Sequence, residues 1–565
     1  MLAGLALGWP SIGVAGEPEA DRPIALPPFI VEDAIKGRPW RYAEGGGFEI
    51  LSRSSDGITQ RVLDAHHRLH QLLAEILPDT LQVKLGVPRA VILFDEELQP
   101  AASREVIARM LRTAPEIPPV EAIVPFGRRG FSVVNASPRY SFLPNLRLWD
   151  KDAMTVFMIV RGENFDPERL ALTADYVSYL AKNRLPALPI WYLSGLMSVY
   201  GKVTFGGNEL AVEPMEWLSA PATAALKKDP KTAVGLIPLA DLFAGTVPPL
   251  PEGVTVDPVA LWRAQAELLL RWALDGREAP RRAGFWKFVE RTTLEGASGK
   301  LFTDCLGLDY AAALEQLTAY RLTAVKATMR FRPGRPARLP KLALRDAGEA
   351  EIGRIKGDWE RMEIGFVART SPELSAKYLE QARRTLMHAY DRNVRDPRLL
   401  AILGLCESDA GNAVRAREFL EAAASGGAIR PRAWYELARL RLAELEGNSP
   451  GANVQLAASE LASVLTPLFE ARRQEPPLPE VYELIAEAWA HSAIGPSRGH
   501  LQVLDEGVRL FPRRMALILR AAELNARHGF HAEAAAFVAH GLRVAGTDDE
   551  RESLTRLQKQ LEAVK

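Results

Sequence analysis

This chain carries no histidine between His70 and His388, and its only cysteines are Cys305 and Cys406. Metal chemistry in that long stretch would have to do without imidazole. Two cysteines in separate parts of a 565-residue chain supply neither a disulfide framework nor a cysteine-rich zinc site, and they are compatible with export without demanding it. Charge of one sign is missing too: 70 Lys and Arg balance 70 Asp and Glu. No long-range field therefore favours nucleic acid or an anionic membrane. Also absent are a Gly-x-Ser-x-Gly elbow, a phosphate-cradling glycine loop and a dinucleotide fingerprint.

What is present is ordinary globular composition, 47% hydrophobic and 25% charged, in a chain long enough for two or three domains. The one apolar run at an end is residues 1–16, MLAGLALGWPSIGVAG. It resembles the hydrophobic region and cleavage end of a secretory signal but lacks the positive n-region, and with Pro10 inside it is too short to span a membrane. The run predicts an exported protein, periplasmic or secreted, whose true start lies upstream; the alternative is a merely hydrophobic N-terminus.

Short β-rich runs, Val91–Phe94, Phe131–Val134 and Thr155–Val160, predict a small sheet in the first third. A helix follows in ADYVSYLAK, then a Pro- and Leu-rich connection, then PIWYLSGL. Leu170, Ala174, Val177 and Ala181 make one apolar stripe, which any buried helix would show. In order, however, these segments resemble the paired signature of peptidase-MA-like (gluzincin) proteins, in which one helix carries His-Glu-Tyr-Val-His and a second carries Ser-Glu-Gly-Leu. Ala174, Asp175 and Ser178 stand at the first histidine, the glutamate and the second histidine, with Tyr176 and Val177 between them. Ser194, before Gly195, stands at the third-ligand glutamate.

Histidines at i and i+4 of a helix face one way and share a zinc ion while a carboxylate activates its water. Alanine has no lone pair to offer, and a serine hydroxyl is a poor zinc ligand at neutral pH. The resemblance therefore implies a scaffold without catalytic residues, metal or cofactor, whose former cleft is walled by Tyr176, Tyr179, Trp191 and Tyr200. Leu261–Leu270, with Trp262 and Gln265, resembles the family's later helix, and Gly307-Leu308-Asp309 the turn that opens its final one. The resemblance covers residues about 45–325.

Residues 330–341, RFRPGRPARLPK, predict an extended basic linker; an anionic docking strip is the functional alternative. From about 373 the chain reads as helical hairpins. Leu400, Leu403 and Gly404, then Gly411, then Ala416, Leu420 and Ala423 fall at the small and large positions of a tetratricopeptide repeat. Trp434, Leu437 and Ala438 repeat the register, and Tyr482, Ile485 and Ala486 and then Ile518, Ala521 and Ala522 continue it less regularly. About four hairpins fit here. An irregular helical bundle is the plainer alternative.

Other chemistry is thin. His66 and His70 have metal-compatible spacing on a helix expected over 60–77, but His66 falls on its apolar stripe, His67 on its solvent side, and no third ligand is visible. Ser178 and Lys182 lie one turn apart, yet a serine nucleophile needs a desolvated lysine and an oxyanion hole, and Lys182 falls off the apolar stripe.

The whole reads as an α+β fold: a signal-like segment (1–16), a gluzincin-like domain of small sheet plus helices (24–329), a linker with a connecting helix (330–372) and an all-α tetratricopeptide-like solenoid (373–565). The expected function is non-catalytic recognition of a protein or peptide in a bacterial cell envelope, the partner docking on the solenoid. The alternatives are a hydrolase with relocated, metal-independent chemistry on Asp175, Ser178, Lys182 and Ser194, and a purely structural envelope component. No nucleic-acid partner and no membrane span in the mature chain are expected.

Overall fold

A computed structural model describes residues 24–26, 38–95, 131–133, 140–142, 146–160, 173–230, 234–247, 256–275, 279–332, 342–447 and 455–563. The signal-like segment and most of the expected linker lie outside them. The first half begins with β1 (Ile24–Leu26), β2 (Arg41–Gly45), β3 (Phe48–Ser52), α1 (Asp56–Leu73), β4 (Arg89–Asp95), β5 (Phe131–Val133), β6 (Tyr140–Phe142), β7 (Arg147–Trp149) and β8 (Met154–Val160). The signature helices α2 (Ala174–Lys182) and α3 (Ile190–Tyr200) follow, then β9 (Val203–Gly206) and β10 (Glu209–Val212). A helical part comprises α4 (Ala220–Lys228), α5 (Leu239–Ala244), α6 (Pro258–Leu274), α7 (Ala279–Glu295), α8 (Gly299–Leu306) and α9 (Tyr310–Lys326), closed by β11 (Met329–Phe331) and β12 (Arg345–Asp346).

The main sheet has the order β12-β2-β3-β4-β8-β7. Its centre, β3, β4 and β8, is parallel, and antiparallel strands sit on both sides. Parallel strands are covered on both faces and therefore read as unbroken apolar runs, which is why Val91–Phe94 and Thr155–Val160 stood out. One face carries Phe48, Ile50, Val91, Leu93, Val156 and Met158 against Ile58, Val62 and Leu63 of α1. Ser55 caps that helix, its hydroxyl accepting the Ile58 N–H at 3.2 Å.

The other face, with Leu51, Ala90, Ile92, Leu148 and Phe157, packs on Ile355, Trp359 and Met362. Those residues belong to α10 (Glu349–Thr370), which was expected to be only a connection. Instead α10 is the third layer of the sheet domain. It is also the first helix of the hairpin array, packing along α11 (Ser375–Asp391) and α12 (Pro397–Asp409). The array continues with α13 (Ala413–Ser425), α14 (Pro431–Gly447), α15 (Ala458–Arg472), α16 (Pro479–Ala490), α17 (Arg498–Leu510), α18 (Met515–Arg527), α19 (His531–Val544) and α20 (Asp548–Ala563).

Two boundaries therefore move. The hairpins start at 349 rather than 373, and the basic segment does not begin as a linker: Arg330 lies in β11, which pairs with β10, and both Arg330 and Arg332 bond Glu209. Within the array the small residues act by close approach. A Cβ on Gly404 would sit 2.5 Å from Leu420 Cγ, and one on Gly357 only 2.3 Å from Leu386. Leu400, Leu403, Ala416, Leu420 and Ala423 are buried as the repeat register requires. Cys305 and Cys406 are free, and Cys406 is buried on α12.

Candidate functional site

Ala174, Asp175, Ser178 and Lys182 lie on α2 and Ser194 on α3. Ala174 and Asp175 are exposed, Ser178 and Ser194 half-buried and Lys182 exposed. Ala174 is thus not among the buried residues of α2, which are Tyr176, Val177, Tyr179, Leu180 and Ala181. Gly195 has a packing reason of its own: a Cβ there would lie 2.6 Å from the carbonyl oxygen of Ala266 on α6. That contact lets α3 press against α6.

The four aromatics assigned to the cleft wall are in the core instead. Tyr176, Tyr179, Trp191 and Tyr200 are 2%, 5%, 2% and 6% exposed. Trp191 sits among Phe243, Phe285 and Phe288, with the Phe243 ring centre 4.9 Å away. Tyr179 lies against Trp149, ring centres 5.3 Å apart. Burial pushes the Tyr179, Tyr192 and Tyr200 hydroxyls above their ordinary range. None of them is poised as a proton donor at neutral pH.

Tyr176 makes a contact that spacing did not reveal, its hydroxyl lying 2.9 Å from His70 Nε2. The α1 histidines thus meet the signature helix. His66 faces Val62 O at 3.0 Å and His67 faces Leu63 O at 3.0 Å, both through Nδ1. His67, expected on the solvent side, is buried under the β2–β3 turn, where a Cβ on Gly46 would lie 2.1 Å from its Nε2. Burial drives His66 down to about 4, and His70 well below its ordinary value with Arg89 adding to the effect.

Two guanidinium groups approach this cluster. The Arg147 guanidinium lies 5.9 Å from the centre of the Tyr176 ring, and that of Arg89 lies 5.4 Å from Phe48, which itself packs against His70. A cation would meet two guanidinium groups, and among the described residues no trio of histidine and carboxylate side chains converges here, so the residues present do not fit zinc. Elsewhere in this half the buried polar groups serve structure. The Gln265 amide brackets Ile237, accepting its N–H and donating to its C=O at 2.6 Å each. Buried Glu267 is held by Arg271 and Lys202, both at 2.8 Å.

The second candidate surface is the side of the array formed by the first helices of successive hairpins, α10, α12, α14 and α16. Much of it is taken by the sheet domain. Arg354 on α10 grips Glu49 on β3 at 2.7 and 2.6 Å. The turn between β7 and β8 inserts Asp150 and Asp152 into a nest of arginines: Arg361 reaches Asp150 at 2.5 Å, Arg430 reaches Asp152 at 2.9 Å, and Arg432 bonds Asp150 while its N–H donates to Asp152 at 2.8 Å. Burial alone would raise the Asp150 carboxyl, but Arg361, Arg432 and Arg430 outweigh it and hold it far below the usual range. Asp358 on α10 joins the nest, 2.7 Å from Arg430. Farther along, Lys151 pairs with Glu480 of α16 at 2.6 Å, and the Gly86 N–H donates to Glu475 O at 2.8 Å. A cavity of about 20 Å³ remains at this seam, lined by Glu49, Ile355, Asp358 and Arg430, room for about one water.

No family model matches the chain, and no curated protein matches it. Solved structures similar to it include MamA, at 15% identity and TM-score 0.26, covering 34% of this chain and 92% of that one. Another is YrrB, described as a TPR protein with an unusual peptide-binding site, at 13% identity and TM-score 0.27 over 35% of this chain and 90% of that one. A third is Pseudomonas aeruginosa PilF, at 14% identity and TM-score 0.25 over 38% and 93%. Among the described residues no helix is long and apolar enough to cross a membrane.

Proposed function

We propose that the chain is a non-catalytic pseudo-metallopeptidase carrying a tetratricopeptide-like array, and that it acts by recognising a protein or peptide in the cell envelope. The observation that carries this reading is the state of the signature site. Its ligand positions hold Ala174, Asp175, Ser178 and Ser194, its aromatics are core, and the Arg147 guanidinium lies against the Tyr176 ring. The gluzincin-like ancestry is supported by element order: a mixed sheet, the paired helices α2 and α3, then the helical part through α9. The envelope location is supported by the apolar segment at 1–16.

Recognition then falls to the parts of the array that the sheet domain leaves uncovered, because stacked hairpins expose both their outer helices and their far end. Val414 on α13 and Ile494 after α16 are exposed apolar residues there, 68% and 49% accessible. A purely structural role is the second reading, favoured by how fully Tyr179 and Tyr200 fill the space near α2.

Two measurements on the full chain separate the readings. Peptide hydrolysis above background, lost in Ser178→Ala or Ser194→Ala, would establish relocated chemistry and end the non-catalytic reading. A photo-crosslinker at position 414 or 494 should capture a specific partner in the source cell. Capture at neither position leaves the structural role.

A further inference from the structure

The helices α14 and α16 are the first helices of neighbouring hairpins, and their C-terminal ends come together. Glu446 lies in the last turn of α14, while Glu487 and His491 lie at the end of α16. Glu487 and His491 are at i and i+4, so both project from one side of the helix end. One ligand atom from each of the three lies within 4.8 Å of the others, and Glu446 Oε1 is 3.9 Å from His491 Nε2. Among the described residues no other trio of histidine, cysteine and carboxylate side chains converges this closely.

Charge bookkeeping on these helices singles out the same residues. The other glutamates of α14 and α16 each have a basic partner: Glu436 takes Arg439, Glu444 takes Arg417, Glu480 takes Lys151 and Glu483 takes Arg514. Among the described residues Glu446 and Glu487 have no lysine or arginine within ion-pair distance; Glu446 has only His491. Both helices also present their carbonyl ends here, adding the negative pole of two helix dipoles. Arg527 approaches the same end, donating to Ala490 O at 3.4 Å. A half-buried cluster of two carboxylates and an imidazole at two helix C-termini has negative potential to spare.

We propose that Glu446, Glu487 and His491 bind a divalent transition-metal ion, zinc being the type, which ties the end of α14 to the end of α16. One imidazole nitrogen and two carboxylate oxygens with an open fourth position suit zinc, whereas magnesium demands a nearly all-oxygen octahedron. Ligand atoms on a tetrahedral zinc stand about 3.3 Å apart, from bonds of about 2.0–2.1 Å. Half-exposed side chains close that gap by rotating. The site lies apart from α2 and α3 and does not rest on the pseudo-peptidase reading.

The test is calorimetric titration of untagged, metal-free full-length protein with Zn²⁺ and, separately, Mg²⁺. The result expected is one Zn²⁺ per chain with no comparable Mg²⁺ binding. His491→Ala and Glu487→Gln should each weaken Zn²⁺ binding by about a hundredfold, the upper end of what even indirect partners of a metal ligand cost. Both variants should keep the wild-type circular dichroism spectrum and lose the zinc-induced rise in melting temperature. His528→Ala, at the end of α18, should bind like the wild type. Absence of saturable Zn²⁺ binding, equal binding of Mg²⁺, or binding unchanged in the two ligand variants would each overturn the proposal.

Discussion

Replacing Arg430 by methionine probes the seam between the two halves directly. The guanidinium is 3% exposed, with Nε 2.9 Å from Asp152 and Nη1 2.7 Å from Asp358. Methionine keeps most of the aliphatic stem and deletes the charge, so the cost is that of stranding two buried carboxylates rather than of opening a large hole. Removing one partner of a buried ion pair typically costs about 3–5 kcal/mol. Here each acid keeps one donor, Asp152 the Arg432 N–H at 2.8 Å and Asp358 the Arg361 guanidinium at 3.1 Å. The loss should therefore fall near the low end, about 3 kcal/mol.

The assay is urea unfolding followed by two probes. Far-UV circular dichroism is dominated by the hairpin array, and tryptophan fluorescence by the first half, which holds Trp191, Trp217, Trp262, Trp272 and Trp286. Because α10 belongs to both cores, the two transitions should move together to lower urea with the slopes unchanged. A shift in one probe alone, or a total loss below about 1 kcal/mol, the scale of an exposed ion pair, would refute the shared-core argument.

Gly195→Ala should destabilise the protein by about 1–3 kcal/mol, the usual cost of overpacking, because its Cβ meets backbone on α6 that has no rotamer to escape into; thermal melting reads it. Glu363→Gln should stabilise at neutral and alkaline pH. Glu363 is 1% exposed, and burial, then the neighbouring Glu360, raise its carboxyl well above the ordinary value of 4.5. The stability of its protonated folded form is complete below about pH 4.5 and is lost as pH rises through the folded value. The advantage of glutamine should accordingly be absent near pH 4 and reach about 1–3 kcal/mol by pH 8, the range for a badly satisfied buried polar group, as measured by urea midpoints across pH. Trp359→Ala should cost about 3–5 kcal/mol as a core truncation, whereas Trp434→Ala should cost clearly less. Trp359 is fully buried against Phe157, but Trp434 is half-buried and anchored by one hydrogen bond to Ala428 O.

Elements with local signatures were legible and those defined by distant partners were not. The apolar runs of β4 and β8, the Pro-Ile-Trp start of α3 and the Leu400–Ala423 register all announce themselves within a few residues. The segment EAEIGRIKGDWERMEIGFVART reads only as a connecting helix, and its sequence is dense in charge. In the fold Arg354, Lys356, Asp358, Glu360, Arg361 and Glu363 are all buried, and the partner that buries Arg354 is 305 residues away. No periodicity carries that information. His67 and the cleft aromatics misread for a related reason. A wheel gives one helix two sides, whereas α1 and α2 are pressed between a sheet and other helices and are buried on more than one. The Gly46 turn over His67 and the Trp149 ring over Tyr179 come from strands far off in sequence.

The same seam limits how the array can recognise anything. A partner peptide entering along α10, α12 and α14 would have to displace the β7–β8 turn and leave Arg361, Arg430 and Arg432 without Asp150 and Asp152. Asp358 and Asp409 would still pair with these arginines, but losing two buried acids at about 3–5 kcal/mol each is comparable with the roughly 8 kcal/mol that a micromolar ligand has to spend. An acidic peptide could replace the carboxylates, but only by reproducing two aspartates, one residue apart, on a turn already tethered at the ideal spot. Tethering makes the resident turn the stronger competitor, since its effective concentration reaches the millimolar range without any new contact. Binding by this protein is therefore expected on the outer helices beyond α11 and at the α18–α20 end, away from the contacts that the described residues of the sheet domain make with α10, α12, α14 and α16. A partner mapped to the α10–α14 side would require the halves to separate first, and would show it as binding that strengthens in Arg430→Met.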